Sequence, residues 1–258
     1  MSRLRTYEDL TAAWRALRRR GFRVREVACV GAPRTVLVAE YGDPSGPRVS
    51  LSAGVHGDEP AAPWALLGIA RDGLLDPRCG YRIWPCLNPS GYLAQTRVNA
   101  EGEDINRSFT RGGTTPEARA VITANRDRRF ALALDLHEDF EAHGCYLYEP
   151  LRPDASPRFA APVIAALDAA GLPVQTLDGE FDLGTPAGVE PPYRLERGAV
   201  LVDAELELRV FPGLPQSMFH YRRGAQPLTF ESPRPAPWEQ RIAAHRVFVT
   251  TALAIFVT

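Results

Sequence analysis

Five histidines stand in the 258 residues, at positions 56, 137, 143, 220 and 245, and their neighbours decide which have chemistry to do. His56 lies in Ser52-Ala53-Gly54-Val55-His56-Gly57-Asp58-Glu59-Pro60, directly after an apolar run and at the mouth of an expected helix. A His and a Glu three apart converge on one ion when the chain turns into a helix between them. His137 follows the apolar run Ala131 to Leu136 in the same manner. Open α/β sheets place their ligands just past the carboxyl ends of strands. Two imidazoles and one carboxylate form a catalytic zinc shell that leaves a position open for water. Taken singly, each of the three also reads as a satisfied polar residue at a strand end, with Glu59 favouring a helix N-terminus through its charge. His143, His220 and His245 lack ligand spacing to the others, and His245 reads as an ordinary mid-helix residue of surface or core.

Between the two histidines runs a long polar stretch from Asn88 to Thr115, and loops of this length without apolar periodicity are usually functional or disordered. It carries Asn88-Pro89-Ser90-Gly91-Tyr92, then Arg97, then Gly102-Glu103-Asp104-Ile105-Asn106-Arg107-Ser108-Phe109. Near the end stands Leu228-Thr229-Phe230-Glu231-Ser232-Pro233. In this order, from about residue 50 to 233, the H-x-x-E pair, the N-P-x-G-Y turn, the Arg, the G-x-D-x-N-R box, the later His and the F-E pair resemble the zinc carboxypeptidase superfamily. Its deacylase relatives include succinylglutamate desuccinylase and aspartoacylase.

The resemblance implies one zinc ion per chain on His56, Glu59 and His137, with Asp104 holding a ligand imidazole in its tautomer. It implies that Asn106 and Arg107 grip a substrate carboxylate, that Arg97 faces the developing oxyanion, and that Glu231 is the general base. Physical chemistry supports these roles independently: a guanidinium fork matches a carboxylate bidentately and stays charged at any working pH. The apolar neighbours of Glu231 predict partial desolvation and a raised pKa suited to taking a proton from water. Glu205 and Glu207 are rivals for that role, because Ala199 to Leu208 reads as a strand, and they are also candidates to attract basic side chains. Two departures stand out. Tyr221 is the residue available as a substrate-closing Tyr, without a convincing motif around it. Glu138 and Asp139 follow the ligand where digestive members of the superfamily carry a small polar residue, and they are candidates to shape a subsite or tune the ion.

The elements that must position these residues alternate. Thr6 and Asp9 open a helix with Leu10, Trp14 and Leu17 on one face, and Gly21 stops it. Val24 to Val30, Thr35 to Tyr41 and Arg48 to Ser52 read as strands, followed by a helix from about Glu59 to Ala70 and a strand from Tyr81 to Leu87. Thr115 and Pro116 open a helix to about Phe130, and a strand follows from Ala131 to Leu136. Cys145 to Tyr148, a helix from Pro157 to Ala170, and Val174 to Leu177 continue the pattern. Asp178 to Pro227 reads as irregular with two strands, before the strand Leu228 to Phe230 and a closing helix from Trp238 to Val257. This order predicts one domain over residues 1–258, a three-layer α/β/α sandwich around a mixed, mostly parallel twisted sheet.

The composition narrows the function. With a net charge of -1 and 45% hydrophobic residues the chain has no nucleic-acid footprint and is not disordered. It contains no Lys, so all 30 basic residues are Arg, which removes Schiff-base and P-loop chemistry. The four cysteines form no C-x-x-C pair and read as buried free thiols. Arg3 and Arg5 open an N-terminus without an apolar leader, and the apolar tail Val247 to Thr258 falls short of the about 20 residues a bilayer needs. The expected compartment is the cytoplasm. The expected substrate is a peptide with a free terminal carboxylate, cleaved at its last amide. An N-acyl amino acid or a cell-wall peptide serves the same carboxylate grip, and a catalytically inactive zinc- or peptide-binding module is the reading from another class. The deacylase branch usually carries a further C-terminal domain, so the length after the closing helix favours the peptidase.

Overall fold

The computed structural model describes residues 6–153, 158–177, 189–210 and 213–258. Its first half runs α1 (Tyr7–Ala16), β1 (Arg23–Val27), β2 (Val36–Gly42), β3 (Arg48–Ala53), α2 (Ala61–Arg71), β4 (Gly80–Trp84), α3 (Pro89–Ala94), α4 (Pro116–Ala124) and β5 (Leu132–Asp139). Then follow β6 (Tyr146–Leu151), α5 (Ala160–Ala169), β7 (Tyr193–Glu196), β8 (Ala199–Asp203) and α6 (Ala204–Val210). The chain closes with α7 (Gln216–Arg222), β9 (Gln226–Pro233) and α8 (Trp238–Val257).

Among the described residues nine strands form one mixed sheet in the order β1-β2-β4-β3-β5-β9-β6-β8-β7. Its centre, β4-β3-β5-β9, is parallel throughout, while β1, β2 and β7 add antiparallel margins and β6 meets β9 antiparallel. The central strands are buried along nearly their whole length because helices cover both faces. On one face α1, α2, α5 and α8 pack Trp14, Leu66, Val163 and Phe248 against Leu51, Leu134 and Leu228. On the other, α4, α6 and α7 bring Val121, Ala204 and Met218 over Val38 and Trp84. Burying each of the Val, Leu, Phe and Met side chains among these stabilises the fold by about 1.5–3 kcal/mol. All four cysteines are buried free thiols. Among the described residues no helix is long and apolar enough to cross a membrane.

Local chemistry sets the boundaries. Thr6 accepts a hydrogen bond from Asp9 N at 3.0 Å and caps α1, and Gly21 adopts φ +87° where the helical stretch ends. Four expectations shift. The helix expected to reach Phe130 stops at Ala124, whose carbonyl, with Asn125 Oδ1, is taken by the buried Arg82. The strand expected over Ala199 to Leu208 breaks after Asp203, where the Asp203 carboxylate accepts from Leu206 N at 2.9 Å and starts α6. Val174 makes an isolated bridge to Cys145 in place of a strand, and the irregular span also holds α7. Residues 178–188 of that span lie outside the described residues.

Candidate metal centre and substrate cavity

Because β3, β5 and β9 run parallel, their carboxyl ends open on one edge of the sheet, and that edge holds the chemistry. His56 and Glu59 sit in the turn between β3 and α2, and His137 lies on β5 directly beside Glu231 of β9 in the pairing register. Side chains alternate along a strand. Leu132, Leu134 and Leu136 therefore enter the core under α2 and α8, while Asp135 and His137 point to the opposite face. The turn carrying His56 fits only because Gly57 is a glycine: a Cβ there would come within 1.9 Å of the Gly91 carbonyl carbon. The H-x-x-E turn and the N-P-x-G-Y turn thus touch backbone to backbone. Asn88 organises the second turn, accepting from Gly91 N at 2.8 Å and donating Nδ2 to the Arg97 carbonyl at 3.2 Å.

The three residues converge. His56 Nδ1 lies 2.6 Å from Glu59 Oε1, His137 Nδ1 lies 3.0 Å from Glu59 Oε2, and the two Nδ1 atoms are 3.2 Å apart. All are buried. Each ring is held from behind by a carboxylate on its other nitrogen, Asp104 at 3.3 Å from His56 Nε2 and Asp135 at 3.3 Å from His137 Nε2. With a carboxylate beside each Nε2, both Nδ1 atoms and the Glu59 carboxylate aim at one point. That donor set fits a divalent cation, which takes a neutral imidazole nitrogen as its ligand. Asp135, fixed in turn by Ser52 Oγ at 2.9 Å, was missed in the sequence. Its signal was the D-x-H spacing, which on a strand puts both side chains on one face.

Electrostatics agrees with the geometry. Burial pushes the Glu59 carboxyl up, but His56 and His137 outweigh it and hold it well below the usual range. Burial likewise disfavours a charged His137, yet Glu59, Asp135 and Glu231 raise its pKa well above the ordinary value. At Asp104 the cost of burial is overcome by His56 and by the positive charges of Arg97 and Arg107. Arg97 forks onto Asp104 Oδ2 at 3.0 and 3.1 Å and places Nη1 3.4 Å from His56 Nδ1, at the rim of the convergence point. Burial, reinforced by Glu59 and Asp139, lifts Glu231 well above the carboxylate range against the pull of His137 and Arg97.

His56, Glu59, His137, Arg97 and Glu231 line a cavity of about 420 Å³ together with Asn106, Arg107, Tyr148, Tyr193 and Glu207. That is the size of a small-molecule site. Arg107 is exposed to the cavity, and Asn106 Oδ1 accepts from Gln216 N at 3.0 Å, which leaves the Asn106 NH₂ as a donor. Of the two rivals for the base, Glu207 reaches the cavity, where burial pushes it up to about 7 against the charge of Arg107. Glu205 is exposed and accepts from the Tyr221 hydroxyl at 3.1 Å. Tyr221 is not brought to the cavity: it is 3% exposed, under the Arg152 guanidinium. Glu138 is among the residues lining the cavity, but its carboxylate is taken up by Arg241 and by Ala61 N at 2.6 Å. Asp139 lines the cavity and accepts from the Tyr146 hydroxyl at 2.7 Å.

His143 is exposed, whereas His220 and His245 are buried in the core. Burial depresses both, His220 to about 4 and His245 to about 3. An unfolded chain binds these protons near pH 6.5. Stability should therefore fall as pH drops below about 6.5 and keep falling toward the folded values, by up to about 1.4 kcal/mol per pH unit for each histidine. Denaturant melts at pH 7 and 5 check this. His220→Phe, which suits the packing on Phe130 and Phe219, should show the shallower loss.

Comparison with known proteins follows the same lines. Carboxypeptidase SOL1 of Arabidopsis thaliana is 28% identical over 160 residues, covering 51% of this chain and 33% of the relative. The chain thus spans about a third of the length of that curated relative. A structure from Shewanella amazonensis assigned to the metallopeptidases superposes with a TM-score of 0.74 at 24% identity, over 95% of this chain and 91% of its own. A succinylglutamate desuccinylase/aspartoacylase from Rhodobacter sphaeroides superposes with a TM-score of 0.54 at 19% identity, over 86% and 60%. The succinylglutamate desuccinylase/aspartoacylase catalytic domain matches residues 45–185, more than half of the chain and the stretch from before His56 to beyond His137. The chain therefore belongs to the succinylglutamate desuccinylase/aspartoacylase catalytic-domain family.

Proposed function

We propose that this chain is a zinc-dependent carboxypeptidase that hydrolyses the C-terminal amide of a peptide. The observation that carries the reading is the convergence of His56 Nδ1, His137 Nδ1 and Glu59 beside Glu231, in a cavity that also presents Arg107. His56, Glu59 and His137 would hold the ion. When bound, zinc acidifies water and polarises a carbonyl. Glu231, desolvated beside His137, takes the proton from water and delivers it to the leaving amine. Arg97, at the rim, meets the negative charge that develops on the carbonyl oxygen. Asn106 and Arg107 take the terminal carboxylate and set which amide lies before Glu231. A second reading has its own support in the family match: an N-acyl amino-acid deacylase would use the same grip on the product's carboxylate.

The test is a panel of free-acid peptides, their C-terminal amides and N-acyl amino acids, with metal analysis of each variant. Wild type should carry one zinc per chain, His137→Ala should lose it, and Arg107→Ala should keep it. A charge-assisted hydrogen bond contributes about 1.5–3 kcal/mol, so amidation of the substrate, or Arg107→Ala acting on the free acid, should lower kcat/KM by about 10- to 150-fold. Equal wild-type rates on acid and amide would refute the carboxylate-reading function. Faster turnover of N-acyl amino acids than of peptides would select the deacylase.

A further inference from the structure

At the other end of the sheet the chain gathers guanidinium groups around a cleft of about 60 Å³. Arg23 comes from β1, Arg48 from the first position of β3, Arg82 from β4 and Arg128 from the turn after α4. Since β3 runs from Arg48 toward His56, the cleft and the metal centre lie at opposite ends of one strand. Among the described residues one carboxylate faces these four cations: Glu40 pairs with Arg82 and lies 3.1 Å from Arg128 and 3.9 Å from Arg23. Arg48 has no ion pair among the described residues. Arg82 is 2% exposed, and while its Nη groups serve Glu40, Ala124 O and Asn125 Oδ1, its Nε has no partner. Burial and the charges of Arg128 and Arg25 press against the protonated Arg82, with Glu40 opposing them.

We propose that this cleft binds a small tetrahedral oxyanion of the phosphate class. Four positive charges against one negative leave an excess that an anion would relieve. Guanidinium forks are matched to oxyanions in both charge and geometry. The cleft has room for such an ion. Glu40, which lines the cleft and pairs with Arg82 and Arg128, is the group an incoming anion would compete with.

The test titrates inorganic phosphate into the zinc-loaded full chain at fixed ionic strength, with chloride as the comparison, and reads Tm and binding heat. Phosphate should raise Tm saturably, as a ligand of the folded state does. Arg48→Gln and Arg128→Gln should each weaken phosphate about tenfold or more. Glu40→Gln should act in the opposite direction and tighten it, because the competing carboxylate is gone. Should Glu40→Gln fail to fold, the two arginine variants decide. Arg107→Ala, at the other end of the sheet, should leave the titration as in wild type. Absence of a saturable rise beyond that of chloride would overturn the proposal. So would a titration abolished by Arg107→Ala and untouched by Arg128→Gln, which would put phosphate in the metal cavity.

Discussion

Glu231→Gln should lower turnover by about 10²- to 10⁴-fold, the range expected when general acid–base catalysis is lost, while leaving the zinc content at the wild-type level. Gln keeps the shape of Glu231 and removes only the basic oxygen. Because Glu231 stands next to His137 in the β5–β9 register without being one of the three converging groups, its loss separates chemistry from metal binding. Glu207→Gln is the necessary comparison, since Glu207 lines the same cavity and is held near 7 by burial. A nearly active Glu231→Gln beside an inactive Glu207→Gln would move the base to α6.

The second large effect concerns stability. Glu138 and Arg241 form a pair whose side chains are 0% and 7% exposed, and Glu138 also receives Ala61 N–H at the start of α2. Burial already raises the Glu138 pKa, and Arg241 is the first of the groups that counter it. Arg241→Leu strands that carboxylate, so it should destabilise the fold by about 3–5 kcal/mol, roughly 6–20 °C in Tm for a chain of this size. Adding Glu138→Gln removes the stranded charge yet keeps an acceptor for Ala61 N–H, and should recover most of the loss. Thermal melts of the single and double variants check this. Equal Tm values for wild type and Arg241→Leu would show that the pair contributes nothing.

What could be read from the sequence followed from how local its causes were. His56 with Glu59 is a three-residue spacing, and His137 ends an apolar run, so the convergence was visible before the fold was. Asp104 and Arg97 were assigned by resemblance, and the structure places both against His56. Asp135 was hidden because it looks like one polar interruption in a buried strand, and its purpose appears only when Ser52 and His137 are seen on either side of it. The run after Ala199 misled because its alternating residues suit a strand. Instead the Asp203 carboxylate accepts from Leu206 N and turns the chain into a helix, on which Glu205 is exposed while Glu207 reaches the cavity. Tyr221 stands out by residue type, but α7 turns its ring inward, a packing outcome that no short motif encodes.

The pairing of His137 with Glu231 is made by backbone hydrogen bonds, so their spacing does not depend on which side chains line the rest of the cavity. Much of the opposite wall, Tyr193, Val202, Glu207 and Met218, comes from the later part of the chain, beyond the stretch matched by the family's catalytic domain. The backbone-paired residues and the side-chain wall are thus separate parts of the cavity. On the proposed function, substitutions in the wall should shift substrate choice without retuning the reaction, whereas a single-residue insertion in β5 or β9 should shift His137 against Glu231 and abolish turnover of every substrate.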